Sequence, residues 1–394
     1  MNILHVIPAY LPATSYGGPV RSVHELCKSL VNQGHSVTVF ATNFDGLGTT
    51  GVPLNEPFII DGVTVYYFAV KFPLSYFRSS DLKNFLKIKV NEFDLVHIHT
   101  IYSYTTLVAA RYARKFNIPY IISPRGMLDK GAIGLKGSFK KKLYLRLFER
   151  KVFINAALIH YTSDDECEHS YFSKISEKKL VIPNGIDIKS YQLAPDKSLP
   201  EKYRSLHNKK LVFFLGRLNY IKGLDILVQS WPEVMAEYPD AHLVIAGPDN
   251  DGYKKYIVAI IDLLKISGSI TFTGELDFSD KITFLKSSEM LVAPSYLESF
   301  GMSIIEAMAC GKPVIVSNKV NISPIIGHYN AGTISSCDSS EFGSAIVKML
   351  GSQEGAAVKG KNASRLVTEN FELDAVTGKM ISAYGKLVLE YKVE

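Results

Sequence analysis

Short runs of apolar residues alternate with stretches of helical periodicity along the whole chain. Ile3 to Ile7 reads as a buried strand. Val20, Val23, Cys27, Leu30 and Val31 then recur at the spacing of one helical face, and Gly34 stops the pattern. Val37-Thr38-Val39-Phe40 supplies the next strand, which makes the opening a βαβ unit with a right-handed crossover and parallel strands. Ile59-Ile60-Asp61-Gly62-Val63-Thr64-Val65 interrupts the alternation with a hairpin signal, Asp-Gly between β-formers. Leu95-Val96-His97-Ile98-His99, Tyr120-Ile121-Ile122, Leu158-Ile159-His160-Tyr161 and Leu180-Val181-Ile182 continue the strands, with helical stretches between them.

A second series starts at Leu211-Val212-Phe213-Phe214-Leu215. It runs through Leu243-Val244-Ile245-Ala246, Ile270-Thr271-Phe272, Met290-Leu291-Val292-Ala293 and Pro313-Val314-Ile315-Val316. The segment from Ser190 to Asn208 is polar, holds two prolines and has no period, so it reads as a linker with the split near residue 195. The expected architecture is α/β, with two doubly wound parallel-sheet domains at 1–190 and 191–372. A terminal helical pattern at 373–394 is expected to pack back across the split. Ligands of such sheets sit beyond the carboxyl ends of the strands, and two such edges facing each other form a central cleft.

Length supports the division, because 394 residues exceed one typical core. Hydrophobic residues are 47% and charged residues 21%, an ordinary globular balance that excludes a disordered chain. A formal charge of +6 suits anionic ligands or lipids and does not call for nucleic acid. Cys27, Cys167, Cys310 and Cys337 form no C-x-x-C pair, so neither a zinc site nor a disulfide framework is indicated, and reduced thiols of a cytosolic enzyme are expected. The start meets Pro8 after a short apolar run without a basic leader, and reads as a first strand rather than a signal peptide. No stretch approaches the ~18 apolar residues of a membrane span. The expected location is therefore cytoplasmic.

The most telling chemistry lies in Glu298-Ser299-Phe300-Gly301-Met302-Ser303-Ile304-Ile305-Glu306. Two carboxylates flank a helix start whose backbone N–H groups suit a diphosphate, while the carboxylates suit sugar hydroxyls. The pattern points to a nucleotide-sugar. Acids early in a helix are also stabilised by its dipole without any ligand. Glu306, between Ile304-Ile305 and Ala307-Met308-Ala309, is expected to be partly buried and to need a partner. Eight residues of helix span roughly 12 Å, so one acid can serve the transferred sugar and the other the ribose.

Gly216-Arg217-Leu218-Asn219-Tyr220-Ile221-Lys222-Gly223 follows a strand and opens a helix. Arg217 offers a fork for phosphate, Lys222 a point charge, and the glycines close backbone approach; a plain solvated loop is the alternative. Tyr16-Gly17-Gly18-Pro19 precedes the first helix, and reads as a ligand-approaching loop or as a tight turn. His97 and His99 share one face at a strand end and have no third ligand nearby in sequence, which favours a hydrogen-bonded pair over a metal site. Arg125, in Ser123-Pro124-Arg125-Gly126-Met127-Leu128 after another strand, can meet an anionic leaving group or acceptor, or be a surface arginine. Residues 136–151 interleave lysines and arginines with large apolar side chains, which suits anionic lipid headgroups or the solvated face of a core helix.

Gly17-Gly18-Pro19, Pro183-Asn184-Gly185-Ile186-Asp187, Gly216-Arg217 through Lys222-Gly223, and Glu298 with Glu306 together resemble glycosyltransferase family 4, over almost the whole chain. The resemblance implies the GT-B fold, two Rossmann-like domains around a cleft. It implies retaining transfer from a UDP- or GDP-linked sugar with no cofactor and no required metal. Arg217, Lys222 and Glu298 form the implied catalytic set, the cations on the donor diphosphate and Glu298 on the donor sugar. Gly17, Gly18, Arg125, Gly216, Glu275, Leu276, Phe300, Gly301, Met302 and Glu306 form the implied donor-binding set, with the base near Gly274-Glu275-Leu276 and the ribose on Glu306. The N-terminal half takes the acceptor.

Many relatives carry a histidine where this chain has Arg125. The Pro-Arg-Gly-Met-Leu version resembles a bacterial surface-polysaccharide subgroup, which implies a glycan or lipid-linked acceptor in O-antigen, capsule or exopolysaccharide synthesis, with peripheral contact to the inner face of the cytoplasmic membrane. Two rivals stand beside it, a GT-B sugar-nucleotide epimerase and a non-catalytic nucleotide-sugar-binding subunit. Since no residue is an obvious covalent nucleophile, front-side displacement is expected, the leaving phosphate oxygen taking the acceptor proton.

Overall fold

The computed structural model describes residues 1–13, 17–46, 48–135, 138–175, 178–195, 198–249 and 251–393. Tyr16 of the glycine loop and Lys136-Gly137 of the basic stretch lie outside the described residues. The chain forms two compact units, Met1–Gly185 with Leu373–Glu394, and Ile186–Glu372.

The first unit is built on eight strands: β1 (Asn2–Ala9), β2 (Ser36–Thr42), β3 (Pro57–Ile60), β4 (Val63–Phe68), β5 (Leu95–His99), β6 (Tyr120–Ser123), β7 (Leu158–Tyr161) and β8 (Lys179–Val181). They run in the order β3-β4-β2-β1-β5-β6-β7-β8, and only the β3–β4 pair is antiparallel. That pair is the Asp-Gly hairpin, with Asp61 at φ 49° and Gly62 at φ 81°, the left-handed values such a turn requires. All seven residues of β1 after Asn2 are buried, which is why this strand reads as a continuous apolar run instead of an alternation.

One face of the sheet (Leu4, Val6, Phe40, Val96, Ile98) packs under the helices Ser80–Lys89 and Tyr104–Lys115. The other (Ile3, Ile7, Val37, Val39) packs under Gly18–Asn32 and the final helix, which contributes Val376, Met380, Tyr384 and Leu387.

The second unit has six parallel strands: β9 (Lys210–Leu215), β10 (Ala241–Ala246), β11 (Ile270–Gly274), β12 (Met290–Ala293), β13 (Val314–Ser317) and β14 (Gly332–Ser335). Their order, β11-β10-β9-β12-β13-β14, is the doubly wound order of dinucleotide-binding sheets. Connections diverge to opposite sides after β9, so the switch point lies between β9 and β12. In the first unit it lies between β1 and β5.

Two features differ from the sequence expectation. β14 was not anticipated, because Gly-Thr-Ile-Ser is no apolar run and Ile334 is 41% exposed at the sheet edge. The division falls at Gly185–Ile186 and not near residue 195. The polar stretch is no tether: Tyr191, Leu199 and Leu206 project from it into the second unit's core. No helix among the described residues is long and apolar enough to cross a membrane.

Candidate active site

In the second unit the two strands at the switch point release the two loops that carry the candidate residues. After β9, Asn219 caps the short turn Tyr220–Lys222 by accepting from Ile221 N at 3.0 Å. Gly223 then opens the helix Leu224–Glu237 at φ +68°. A Cβ at this position would lie 2.0 Å from the carbonyl oxygen of Pro294, just past β12, so both conformation and space require glycine. Tyr296 N–H donates to Ile221 O at 2.8 Å, the Tyr220 and Tyr296 rings stack at 4.9 Å, and Tyr296 OH donates to Asp225 at 2.8 Å.

These contacts bind the two loops into one body and set the Lys222 ammonium against the Glu298 carboxylate as an ion pair, with side chains only 23% and 15% exposed. Glu298 is fixed from a third side: its N–H donates to Lys319 O at 3.1 Å and its carbonyl accepts from Asn321 N at 2.9 Å. Arg217 is exposed, with no carboxylate partner among the described residues.

Gly301, at φ +80°, starts the helix Met302–Ala309, and no side chain caps its first turn. Gly216, Arg217, Lys222, Glu298 and Gly301 thus stand on loops from adjacent strands: two cations, one carboxylate and an uncapped helix start, a set suited to a phosphate-bearing ligand. Phe300 and Leu276 are buried in the core, Phe300 with its ring 5.4 Å from Phe371, so neither offers its side chain to a ligand. Met302 is half-buried, and Glu275 is exposed just beyond β11, at the far side of the sheet.

Glu306 is buried, and its partner is Lys281, whose Nζ lies 2.7 Å from Oε1; Tyr191 OH donates to the same oxygen at 3.0 Å. The ammonium also lies over the rings of Tyr191 and Phe278, at 5.4 and 5.3 Å. Sequence reasoning placed the burial but missed the partner. A signal was present, since Lys281 sits within the Phe278, Ile282, Leu285 stripe of its helix, where a lysine must find an anion.

Gly17, Gly18 and Arg125 belong to the first unit. There His5, His97, His99 and His160 are all buried, and their protons can be placed from groups that only donate or only accept. Arg125 Nη2 donates to His99 Nδ1 at 3.2 Å, so His99 carries its proton on Nε2 and donates it to His5 Nδ1 at 2.9 Å. At the other end the Ile182 carbonyl accepts from His160 Nε2 at 2.8 Å. His160 Nδ1 therefore accepts from His97 Nε2 at 3.4 Å, and His97 Nδ1 accepts from Tyr384 OH at 2.6 Å.

All four rings are neutral. Burial and then the Arg125 charge hold His5 at about 3, burial chiefly holds His160 at about 3, and His97 and His99 lie well below the usual range. His5 is the third ring that the sequence around His97 and His99 did not reveal, and nitrogens of the three lie within 4.8 Å of one another. Their lone pairs are already engaged by Tyr384, Arg125 and His99, which makes the cluster a hydrogen-bonded core beneath Arg125.

Across the same sheet edge, Glu149 is fully buried. It accepts from Tyr102 N at 2.9 Å through Oε1, and its Oε2 has no partner, so burial pushes the carboxyl up to about 8. A folded-state value above the ordinary 4.5 gives stability that is present below 4.5 and lost as pH rises to about 8. Glu149→Gln removes that loss. Urea unfolding is expected to show the variant gaining on the wild type between those limits, by up to about 1.4 kcal/mol per pH unit. A difference that does not change with pH would refute the assignment.

Two family models match the chain in succession: a "Glycosyl transferase 4-like domain" at residues 17–185 and "Glycosyl transferases group 1" at residues 196–366. An uncharacterized glycosyltransferase of Methanocaldococcus jannaschii is 28% identical over 336 residues, covering 80% of each chain. Among solved structures, sucrose-phosphate synthase from Thermosynechococcus elongatus superimposes with a TM-score of 0.80 at 20% identity, over 99% of this chain and 100% of that one. The Anabaena protein HepE, in complex with UDP and glucose, superimposes with a TM-score of 0.77 at 18% identity, over 98% and 100%.

Proposed function

The chain belongs to the glycosyltransferases of the GT-B, family 4 type, and from that premise we propose that it transfers a sugar, with retention, from a UDP- or GDP-linked donor to a glycan or lipid-linked acceptor. The observation that carries the reading is the Lys222–Glu298 pair, beside Arg217 and the uncapped helix start at Gly301, on loops from the two switch-point strands. A departing nucleoside diphosphate gains negative charge as the glycosidic bond breaks. Arg217, Lys222 and the helix start are the positive groups set to meet it, without need of a metal. Glu298, fixed by Lys222 and by backbone bonds on both sides, positions the sugar hydroxyls and is not free to act as a mobile base. With no nucleophile assigned, the acceptor hydroxyl attacks from the leaving-group side and gives its proton to the departing phosphate oxygen.

The basic stretch supports a lipid-linked acceptor. Phe139, Leu147 and Phe148 are 79%, 58% and 50% exposed among Lys140, Lys142, Arg146 and Arg150, an apolar and cationic surface suited to anionic headgroups. That favours the surface-polysaccharide setting and peripheral membrane contact.

A thermal-shift screen of UDP- and GDP-sugars tests the reading, because a bound donor stabilises by about 2.7 kcal/mol at a hundred times its Kd. Stabilisation by at least one donor is expected. Failure of every donor at millimolar concentration would overturn it. Arg217→Ala should weaken that donor's affinity about tenfold or more, the scale of one charged hydrogen bond. Conversion of donor without acceptor would instead point to an epimerase, and binding without transfer to a non-catalytic subunit.

A further inference from the structure

The basic stretch has a neighbour in the loop of residues 71–78, which Lys71 N–H closes by donating to Arg78 O at 2.7 Å. Phe77 anchors this loop from inside, buried with its ring 5.2 Å from Phe44, and Tyr76 OH shares a hydrogen bond with Tyr144 OH at 3.2 Å. The loop so held leaves Phe72 87% exposed, with Leu74 exposed close by. Across the Tyr76–Tyr144 contact lie the helices Ser138–Tyr144 and Arg150–Asn155, joined by the wider turn Leu145–Glu149. Leu145, Glu149, Val152 and Phe153 are buried and hold this segment to the unit. Phe139, Leu143, Leu147 and Phe148 stand in solvent instead, at positions where a helix that only packs on a core carries polar side chains.

The charge offered by the two segments has one sign. Residues 71–78 hold no acid, and Glu149, the one acid of residues 138–155, is buried. Lys71, Arg78, Lys140 and Lys142 are exposed among the apolar groups. Arg146 and Arg150 line one cavity of about 440 Å³ with Tyr171, Phe172 and Ile175, and among the described residues neither has a carboxylate partner. Single exposed apolar side chains are ordinary, whereas a patch drawn from two segments marks an interaction site. Its composition decides the partner. Lysines are depleted at the core of protein interfaces, while a lipid interface takes their heads at the phosphates and their stems along the acyl chains.

We propose that this face of the first unit docks on an anionic phospholipid bilayer, with Phe72, Leu147 and Phe148 entering the acyl boundary and the Arg146–Arg150 cavity seating a lipid phosphate. The proposal rests on the glycosyltransferase reading and deepens its lipid-linked acceptor. The Tyr144 ring lies 5.6 Å from that of Tyr102, in the loop after β5, so the docked face adjoins the sheet edge. An acceptor whose lipid stays in the bilayer then presents its sugar beside that edge.

Co-sedimentation of the full chain with vesicles tests it, using phosphatidylcholine alone and an equimolar mixture with phosphatidylglycerol. Binding to the mixed vesicles is expected, and little to the neutral ones. Phe72→Asp should lower the partition coefficient at least about tenfold, the scale of one buried phenyl ring. Arg146→Gln/Arg150→Gln should lower it about fivefold for each cation removed. All three positions are exposed, and unchanged melting temperatures check that the variants fold. Phe72→Trp adds a second indole to the buried Trp231, and on mixed vesicles its emission should shift to the blue and be quenched by brominated acyl chains. Equal binding to both vesicles, binding unchanged by the substitutions at 72, 146 and 150, or an indole at 72 that keeps its emission in water would overturn the docking face. If vesicles fail to hold the protein while a nucleotide-sugar still stabilises it, only the docking face is lost. If nucleotide-sugars fail as well, the reading beneath it falls too.

Discussion

Lys222→Ala is expected to lower kcat by about a hundred- to a thousandfold, the scale of losing one preorganised charge at a site of developing negative charge. Donor KM should change far less. The physical reason is timing. On the proposed reading the bound donor already carries its diphosphate charge, shared with Arg217 and the Gly301 helix start, whereas the charge released on bond breaking is assigned to Lys222. Lys222 is suited to that task because its position is determined from several directions. The Asn219-capped turn, the Tyr220–Tyr296 stack and the close approach of Gly223 to Pro294 O fix the loop from which its side chain extends. The substitution also deprives Glu298 of its partner. Glu298→Gln, which keeps the shape and removes the charge, is the control: if it reproduces the whole loss, the lysine acts through Glu298 and not on the leaving group. Steady-state kinetics with the donor identified by thermal shift decide the matter, and an unchanged kcat would reject the role.

Glu306→Ala should destabilise the second unit by about 3–5 kcal/mol, since it strands a buried ammonium. Lys281 is 5% exposed, and its neighbours are Tyr191 OH and two aromatic faces, which cannot replace a carboxylate. The double variant Glu306→Ala/Lys281→Met should recover most of the loss, because a buried ion pair and an apolar pair of similar volume are often near equal. Denaturant unfolding of the three proteins forms the cycle, and a single variant within 1 kcal/mol of wild type would show the pair to be solvated. The same variants test the ribose assignment. Titration with the free nucleotide should show weaker binding in Glu306→Ala, and equal affinity would leave Glu306 with a packing role alone.

Most strands and the two-domain parallel-sheet plan follow from features that a sequence displays, because parallel strands buried on both faces are continuous apolar runs between helical periods. β14 escaped for the same reason, being short, polar and at an edge. The loops after β9 and β12 were visible from their glycines and charges, but which charge meets which was not. Lys222 and Glu298 lie 76 positions apart and were read as two groups awaiting a ligand, and folding makes them each other's partner. Lys281 drew no attention in the sequence, because helices carry many lysines and its partner lies 25 positions away. Arg125 depends on positions 22, 99 and 184, which only the tertiary fold assembles. Local pattern gives elements and their ends, whereas charge pairing is decided by register between distant elements.

The final helix, Leu373–Val393, has a consequence for how the protein is made. The first unit's sheet is translated first, yet the helix that completes the cover of one of its faces, beside Gly18–Asn32, and gives His97 its hydrogen bond from Tyr384 is translated last. Unlike a domain that closes as it leaves the ribosome, this unit waits, with one apolar face only partly covered, while the whole second unit is synthesised. Folding of the contiguous second unit can therefore precede completion of the first, and a nascent chain stalled near residue 372 should expose a chaperone-binding surface that the finished chain conceals.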